Sequence, residues 1–159
     1  MILFPPAKIN LGLNVLFKRE DGYHELETVM VKTPLTDVLE ILPSDTFEFK
    51  QTGLTIPGSS DDNLCTKAFK LIQEAYNIPN IYIHLRKITP MGAGLGGGSA
   101  DGAFVLSGLN ELFQLNISKE TLETYAAQLG SDCPFFIEPT PQIARGRGEL
   151  LAQIELSLK

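Results

Sequence analysis

The order of apolar patterns along this 159-residue chain predicts an α+β fold built on a mixed or antiparallel sheet. Three observations carry the reading. The first third is a succession of strand-like segments. Helical periodicity begins only near Leu64 and then alternates with short strands. No regular strand–helix–strand succession runs through the chain.

Ile9, Leu11, Leu13, Val15 and Phe17 alternate with Asn10, Gly12 and Asn14, which predicts a strand with one apolar face. The Asp21-Gly22 pair in "REDGYHE" predicts a hairpin turn. "LETVMVKT", "DVLEIL" and "TFEFK" read as further strands, and "GLTIPGSSDD" as a strand end and loop. Asp61 or Asp62 is placed to cap a helix carrying Leu64, Ala68, Leu71, Ile72 and Ala75 on one stripe. "NIYIHLRKI" is a strand. A glycine tract follows, and from Ser99 a second helix is expected to run to about Phe113, with Ala100, Ala103, Phe104 and Ser107 as its close-packing face. Ser118 caps a third helix with Leu122, Tyr125, Ala126 and Leu129 on its stripe, and Gly130 stops it. "CPFFIE" and "LLAQIEL" read as short closing strands.

Composition bounds the function. With 43% apolar and 20% charged residues, the chain suits one globular domain with a real core. A net charge of −6 opposes a broad nucleic-acid face but leaves room for a compact anionic ligand. Cys65 and Cys133 show no metal spacing and read as buried thiols of a reducing, cytoplasmic compartment. "MILFPPAKIN" has no basic segment before an apolar core, so no signal peptide is expected, and no apolar run is long enough for a membrane span.

Five of the seven residues from Gly92 to Gly98 are glycine, between a strand and a helix. Such a tract lets backbone N–H groups converge where the helix presents its unpaired donors and positive dipole end, which is an anion site with phosphate as its usual occupant. The P-loop pattern fails, since no lysine follows the last glycine. GxGxxG matches at Gly92, Gly94 and Gly97, but the next segment is a helix, not the strand that a dinucleotide fold requires. The protein-kinase glycine loop fails as well.

"PMGAGLGGGSAD" is similar to the P-x3-G-L-G-S/G-S-S/A motif of the GHMP small-molecule kinases. "PAKINLGLNVLFKREDGYHEL" and "GSDCPFFI" narrow the resemblance to the 4-diphosphocytidyl-2-C-methyl-D-erythritol kinases of non-mevalonate isoprenoid biosynthesis, and "DGYHEL" separates these from the mevalonate-pathway relatives. The resemblance implies a two-layer α+β domain related to ribosomal protein S5 domain 2. It implies ATP-dependent phosphorylation of the substrate 2-hydroxyl, with ATP and Mg²⁺ as cofactors and no nucleic-acid or membrane partner. Lys8 and Asp132 match the catalytic pair, with Asp132 taking the hydroxyl proton and Lys8 steadying the phosphoryl group. Asn10, Tyr23 and His24 match the substrate-binding positions, Tyr23 stacking on cytosine and His24 bonding its polar edge. Asn63 matches an adenine contact. Pro90, Met91, Gly92, Ala93, Gly94, Leu95, Gly96, Gly97, Gly98, Ser99 and Ala100 match the phosphate loop, with the Ser99 hydroxyl beside Mg²⁺ and Lys87 and Asp101 near the nucleotide.

Ala100 departs from the family serine at its position. The family also carries a C-terminal domain that completes the cytidine pocket, so residues 1–159 read as the N-terminal, ATP-binding domain, and low activity is expected of them alone. The rivals are another GHMP kinase, a non-catalytic nucleotide-binding domain and a dinucleotide-dependent oxidoreductase.

Overall fold

A computed structural model of the protein describes residues 1–156; Ser157, Leu158 and Lys159, the end of the closing segment, lie outside the described residues. In chain order the elements are β1 (Ile2–Leu3), β2 (Pro6–Lys18), β3 (His24–Thr36), β4 (Val38–Pro43), β5 (Glu48–Gly53), α1 (Leu64–Tyr76), β6 (Ile81–Lys87), α2 (Gly97–Leu112), α3 (Lys119–Leu129), β7 (Gln142–Gly146) and β8 (Leu150–Gln153).

The strands form two four-stranded sheets. One, in the order β1-β4-β6-β5, is mixed, because β5 runs parallel to β6 while β4 is antiparallel to both its neighbours. The other, β2-β3-β7-β8, is wholly antiparallel. The α+β expectation therefore holds. One parallel crossover exists, from β5 through α1 to β6, but the glycine tract follows β6 and lies outside it. That position removes the dinucleotide arrangement, in which the glycines open the crossover helix.

Alternation decides what the mixed sheet buries. Leu39 and Ile41 of β4 and Ile81, Ile83 and Leu85 of β6 are each 0% exposed. They meet Cys65, Ala68, Phe69 and Ile72 of α1 and Val105, Leu106 and Leu109 of α2. Each large side chain of this kind contributes roughly 1.5–3 kcal/mol on burial. The other side of α2 carries Ala100 and Ala103 into a second cluster with Met30, Phe135, Phe136 and Ala144. Small residues there let α2 pack against both the antiparallel sheet and the turn after α3.

Six details differ from the sequence reading. Asn63 caps α1, its side chain accepting the Cys65 N–H at 2.9 Å, while Asp61 and Asp62 sit in a 3₁₀ turn capped by Ser59. The second helix starts at Gly97, two residues before Ser99. "CPFF" is a 3₁₀ turn, Cys133–Phe136, because Pro134 near its start favours a turn over a ladder. The strand of that region is β7, "QIARG", which has too few apolar residues to show alternation. Gly130 does end α3, but with φ 170°, an extended conformation open to any residue.

The sixth difference concerns β2. Its register against β3 shifts between Leu11 and Leu13 and again between Val15 and Phe17. Gly12, at φ 68°, is the extra residue of the first bulge, and its carbonyl accepts the Thr28 hydroxyl at 2.5 Å. Ile9 and Leu11 pair with Val31 and Val29, whereas Leu13 and Val15 pair with Thr28 and Leu26. The apolar stripe thus changes face at Gly12. All five of its members are exposed, from 38% at Ile9 to 60% at Phe17.

Candidate active site

The glycine tract forms the open turn between β6 and α2 and lines a cavity of about 260 Å³ with Leu64. Gly92, Gly94 and Gly96 have φ 72°, 72° and 67°. At Gly92 and Gly94 a Cβ would meet nothing within 4 Å, so this side of the loop is open. The first helical bond runs from the Ala100 N–H to the Gly96 carbonyl at 2.9 Å, and no side chain caps α2. The first-turn N–H groups therefore face the cavity without an intrahelical partner. This cradle fits a phosphate chain.

Gly96 is the joint of the site. A Cβ there would stand 2.9 Å from Phe136 Cζ and 3.1 Å from Lys8 Cγ. Three separated tracts, the glycine loop, the start of β2 and the Cys133–Phe136 turn, thus meet where only hydrogen fits. The Lys8 backbone N–H donates to the Leu95 carbonyl at 2.8 Å, which ties the loop to β2.

From that strand the Lys8 side chain turns inward. Its ammonium lies 3.3 Å from Asp132 Oδ2 and donates to Asn10 Oδ1 at 2.6 Å. Lys8 is 7% exposed and Asp132 33%, so the pair sits at the mouth of the site, with the cation sheltered and the carboxylate open to an incoming group. Asn10 shares the face of Lys8, two residues on. The structure brings together Lys8, Asn10 and Asp132 as the sequence reading expects.

Tyr23 sits on the β2–β3 turn, closed by the Arg19 N–H to the Tyr23 carbonyl at 2.8 Å, and His24 opens β3. The β3 register places His24 on the face that carries Met30 and pairs with Asn10 and Lys8. Both Tyr23 and His24 are exposed. The link to the Lys8–Asp132 pair runs through the β7–β8 turn, which the sequence reading missed. The Arg147 guanidinium lies 4.8 Å over the Tyr23 ring centroid. A Cβ on the next residue, Gly148, would stand 3.9 Å from Asp132 Oδ1. Glu25 fastens the two turns by accepting the Gly146 N–H at 2.9 Å and Arg19 at 2.7 Å.

Lys87 and Asp101 do not face the cavity. Lys87 Nζ, buried beneath the first turn of α2, donates to Asp37 Oδ2 and Asp101 Oδ2, each at 2.6 Å. Asp37, at the β3–β4 junction, also accepts the N–H groups of Ile88 and Thr89 at 2.5 and 2.8 Å. Burial raises the Asp37 carboxyl, but its bonds from Lys87, Thr89 and Ile88 outweigh this and hold it below its ordinary value. Burial dominates at Asp101, whose Oδ1 has no partner among the described residues, and pushes it up to about 7. The cluster anchors both ends of the glycine tract: its entry through Ile88 and Thr89, its exit through Asp101. Asp37 was not singled out in the sequence, because nothing local distinguishes an aspartate between two strands.

Asn63 uses its carbonyl oxygen in the α1 cap and keeps its amide NH₂ for another acceptor; it lines a small cavity with Phe49, Gln51 and Ile56. Cys65 and Cys133 are free and buried, and burial pushes the Cys133 thiol up to about 11. Among the described residues no group of three or more His, Cys, Asp or Glu is placed to hold a metal, and no helix is long and apolar enough to cross a membrane.

Residues 63–138 match the family model for the GHMP kinases N terminal domain. The chain is 51% identical over 159 residues to 4-diphosphocytidyl-2-C-methyl-D-erythritol kinase of Azobacteroides pseudotrichonymphae, covering 100% of this chain and 60% of that protein. It is 52% identical over 163 residues to the protein of the same name from Bacteroides thetaiotaomicron, again covering 100% and 60%. A crystal structure of 4-(cytidine 5'-diphospho)-2C-methyl-D-erythritol kinase superposes with TM-score 0.86 at 40% identity, over 99% of this chain and 56% of that one. Methanococcus jannaschii mevalonate kinase shares the fold alone, with TM-score 0.72 at 14% identity over 98% and 56%. The chain spans about 60% of the length of the curated relatives it matches.

Proposed function

We propose, from the match of residues 63–138 to the GHMP kinases N terminal domain and the likeness over the whole chain to the relatives above, that this chain is a GHMP kinase domain carrying the phosphate loop and catalytic pair of a kinase acting on the 2-hydroxyl of 4-diphosphocytidyl-2-C-methyl-D-erythritol. One observation carries the reading. Lys8 holds the glycine loop by its backbone N–H and Asp132 by its ammonium, so a single residue joins the donor and acceptor halves.

In this reading residues 1–159 are the N-terminal, ATP-binding domain. The uncapped start of α2 and the loop from Pro90 to Ala100 hold the phosphates of ATP. The Ser99 hydroxyl would be the group of this chain beside Mg²⁺ brought by the nucleotide, and the ion would supply neutralisation of the phosphate charge. Asp132 accepts the proton of the substrate hydroxyl as that oxygen bonds to the γ-phosphorus and ADP departs. Lys8 keeps Asp132 in place and offsets the charge on the transferring group. Asn10 bonds the erythritol portion, Tyr23 stacks on the cytosine and His24 bonds its edge. Asn63 offers its free amide to the adenine. An acidic chain is suited to these anionic ligands because backbone donors, not side-chain cations, form most of the phosphate site.

The test is a coupled ADP-release assay with 4-diphosphocytidyl-2-C-methyl-D-erythritol, ATP and Mg²⁺, on this chain and on the gene product read to its stop codon. Turnover that is abolished by Asp132→Ala supports the reading. A folded read-through protein that releases ADP with homoserine or mevalonate, and not with this acceptor, would replace it with another GHMP activity.

A further inference from the structure

The reading above leaves Arg147 without a role, although it occupies the ground between the two ends of the proposed acceptor site. Its guanidinium lies over one face of Tyr23, at 4.8 Å, and leaves the other face of that exposed ring for a base. The following residue, Gly148, passes beside Asp132, with 3.9 Å from a Cβ position to Oδ1. Its φ of 112° is one that side-chain-bearing residues rarely adopt, so glycine is the residue that carries the turn past the carboxylate. The Arg147 backbone N–H is committed to Glu149 Oε2 at 2.6 Å, while its Nε is a loose 3.8 Å from Glu149 Oε1. Among the described residues the guanidinium itself makes no hydrogen bond, and its planar fork of donors is available.

An acceptor with a base at Tyr23 and a reacting hydroxyl at Asp132 must bring its linking group past this residue. In 4-diphosphocytidyl-2-C-methyl-D-erythritol that link is a diphosphate. Resting on the proposed function, we infer that Arg147 is a specificity-determining residue that binds the diphosphate bridge of the acceptor. Its fork matches two phosphate oxygens at once, which a free polyol or an uncharged nucleoside cannot offer. The anchoring of its turn to the β2–β3 turn through Glu25 sets the guanidinium in place before the ligand arrives.

The experiment uses the gene product read to its stop codon and measures inhibition of ADP release by CDP and by cytidine. In the wild type CDP should inhibit at about tenfold lower concentration than cytidine, the size of a charge-assisted bidentate contact. In Arg147→Ala that gap should close, with cytidine inhibition and the KM for ATP unchanged, and Arg147→Lys should restore part of it. A gap that persists in Arg147→Ala overturns the inference. So does an equal loss of CDP and cytidine inhibition, which would make Arg147 a support for Tyr23 only. A wild type that turns over the acceptor but ignores both inhibitors also overturns it. A wild type that never turns over the acceptor sinks the underlying function, and this is visible before any variant is made.

Discussion

Lys87 and Asp101 meet at 2.6 Å under the first turn of α2, with their side chains 0% and 2% exposed. The lysine serves two carboxylates, and Asp37 has the better share because two backbone N–H groups also bond it. Asp101 is left as the group on which a proton is most easily held. Its carboxyl rises from 3.8 to about 7, through burial first. Between about pH 4 and pH 7 the folded chain therefore binds a proton that the unfolded chain has lost, and stability should fall as pH rises through this window. Asp101→Asn should flatten that slope and raise stability above pH 7 by up to a few kcal/mol, on the order set by linkage. Urea unfolding from pH 4 to pH 8 reads both.

Lys87→Met should act in the opposite sense. It leaves Asp37 and Asp101 buried without their shared cation, at a cost of roughly 3–5 kcal/mol. The unfolding midpoint at pH 7.5 checks this, and a shift of under about 1 kcal/mol would mean that the cluster is not sealed from water.

If Asp132 is the general base proposed above, Asp132→Asn should lower turnover by about 10²–10⁴-fold, the range for loss of such a group. The side chain is a third exposed, so the melting temperature should barely move. Turnover that survives the change at near wild-type rate would assign the proton to another acceptor.

Two glycines of one loop should respond differently. Gly96→Ala drives a Cβ into Phe136 and Lys8 at φ 67° and should cost stability and activity together. Gly94→Ala meets open space, so its cost is backbone strain alone, about 1–2 kcal/mol. Nucleotide titration beside thermal unfolding separates the two.

Asn63 has two possible duties, and one substitution divides them. Asn63→Asp keeps an oxygen for the Cys65 N–H, so α1 should remain capped, whereas Asn63→Ala should lose about 1 kcal/mol. If the free amide binds adenine, Asn63→Asp should still raise the KM for ATP several-fold; an unchanged KM would leave only the cap.

The legible parts of the site are those that its chemistry writes locally. A glycine tract between a strand and a helix declares itself by composition. Lys8, Asn10 and Asp132 were legible through the motifs around them, and the structure brings them together. Asp37 and Arg147 were not, because a buried aspartate between strands and an arginine in a polar turn acquire meaning only from partners 50 and 124 positions away, Lys87 and Tyr23. β7 escaped because pairing with β3, not its own alternation, makes it a strand. The stripe on β2 was read as one face because period two says nothing about a residue that the ladder skips.

That skipped residue, Gly12, makes the length of β2 a heritable variable of its own. Replacing Leu13 or Val15 changes one side chain, but deleting the codon for Gly12 removes the bulge, with its local bend and twist, while Leu13 and Val15 stay opposite Thr28 and Leu26. The hairpin tip with Tyr23 would be re-aimed in a single mutational step. Among descendants of this fold, small insertions and deletions in β2 thus redirect the hairpin more directly than point changes do. An alignment that slides a gap through "NLGLNV" would assign the wrong residues to the site's face.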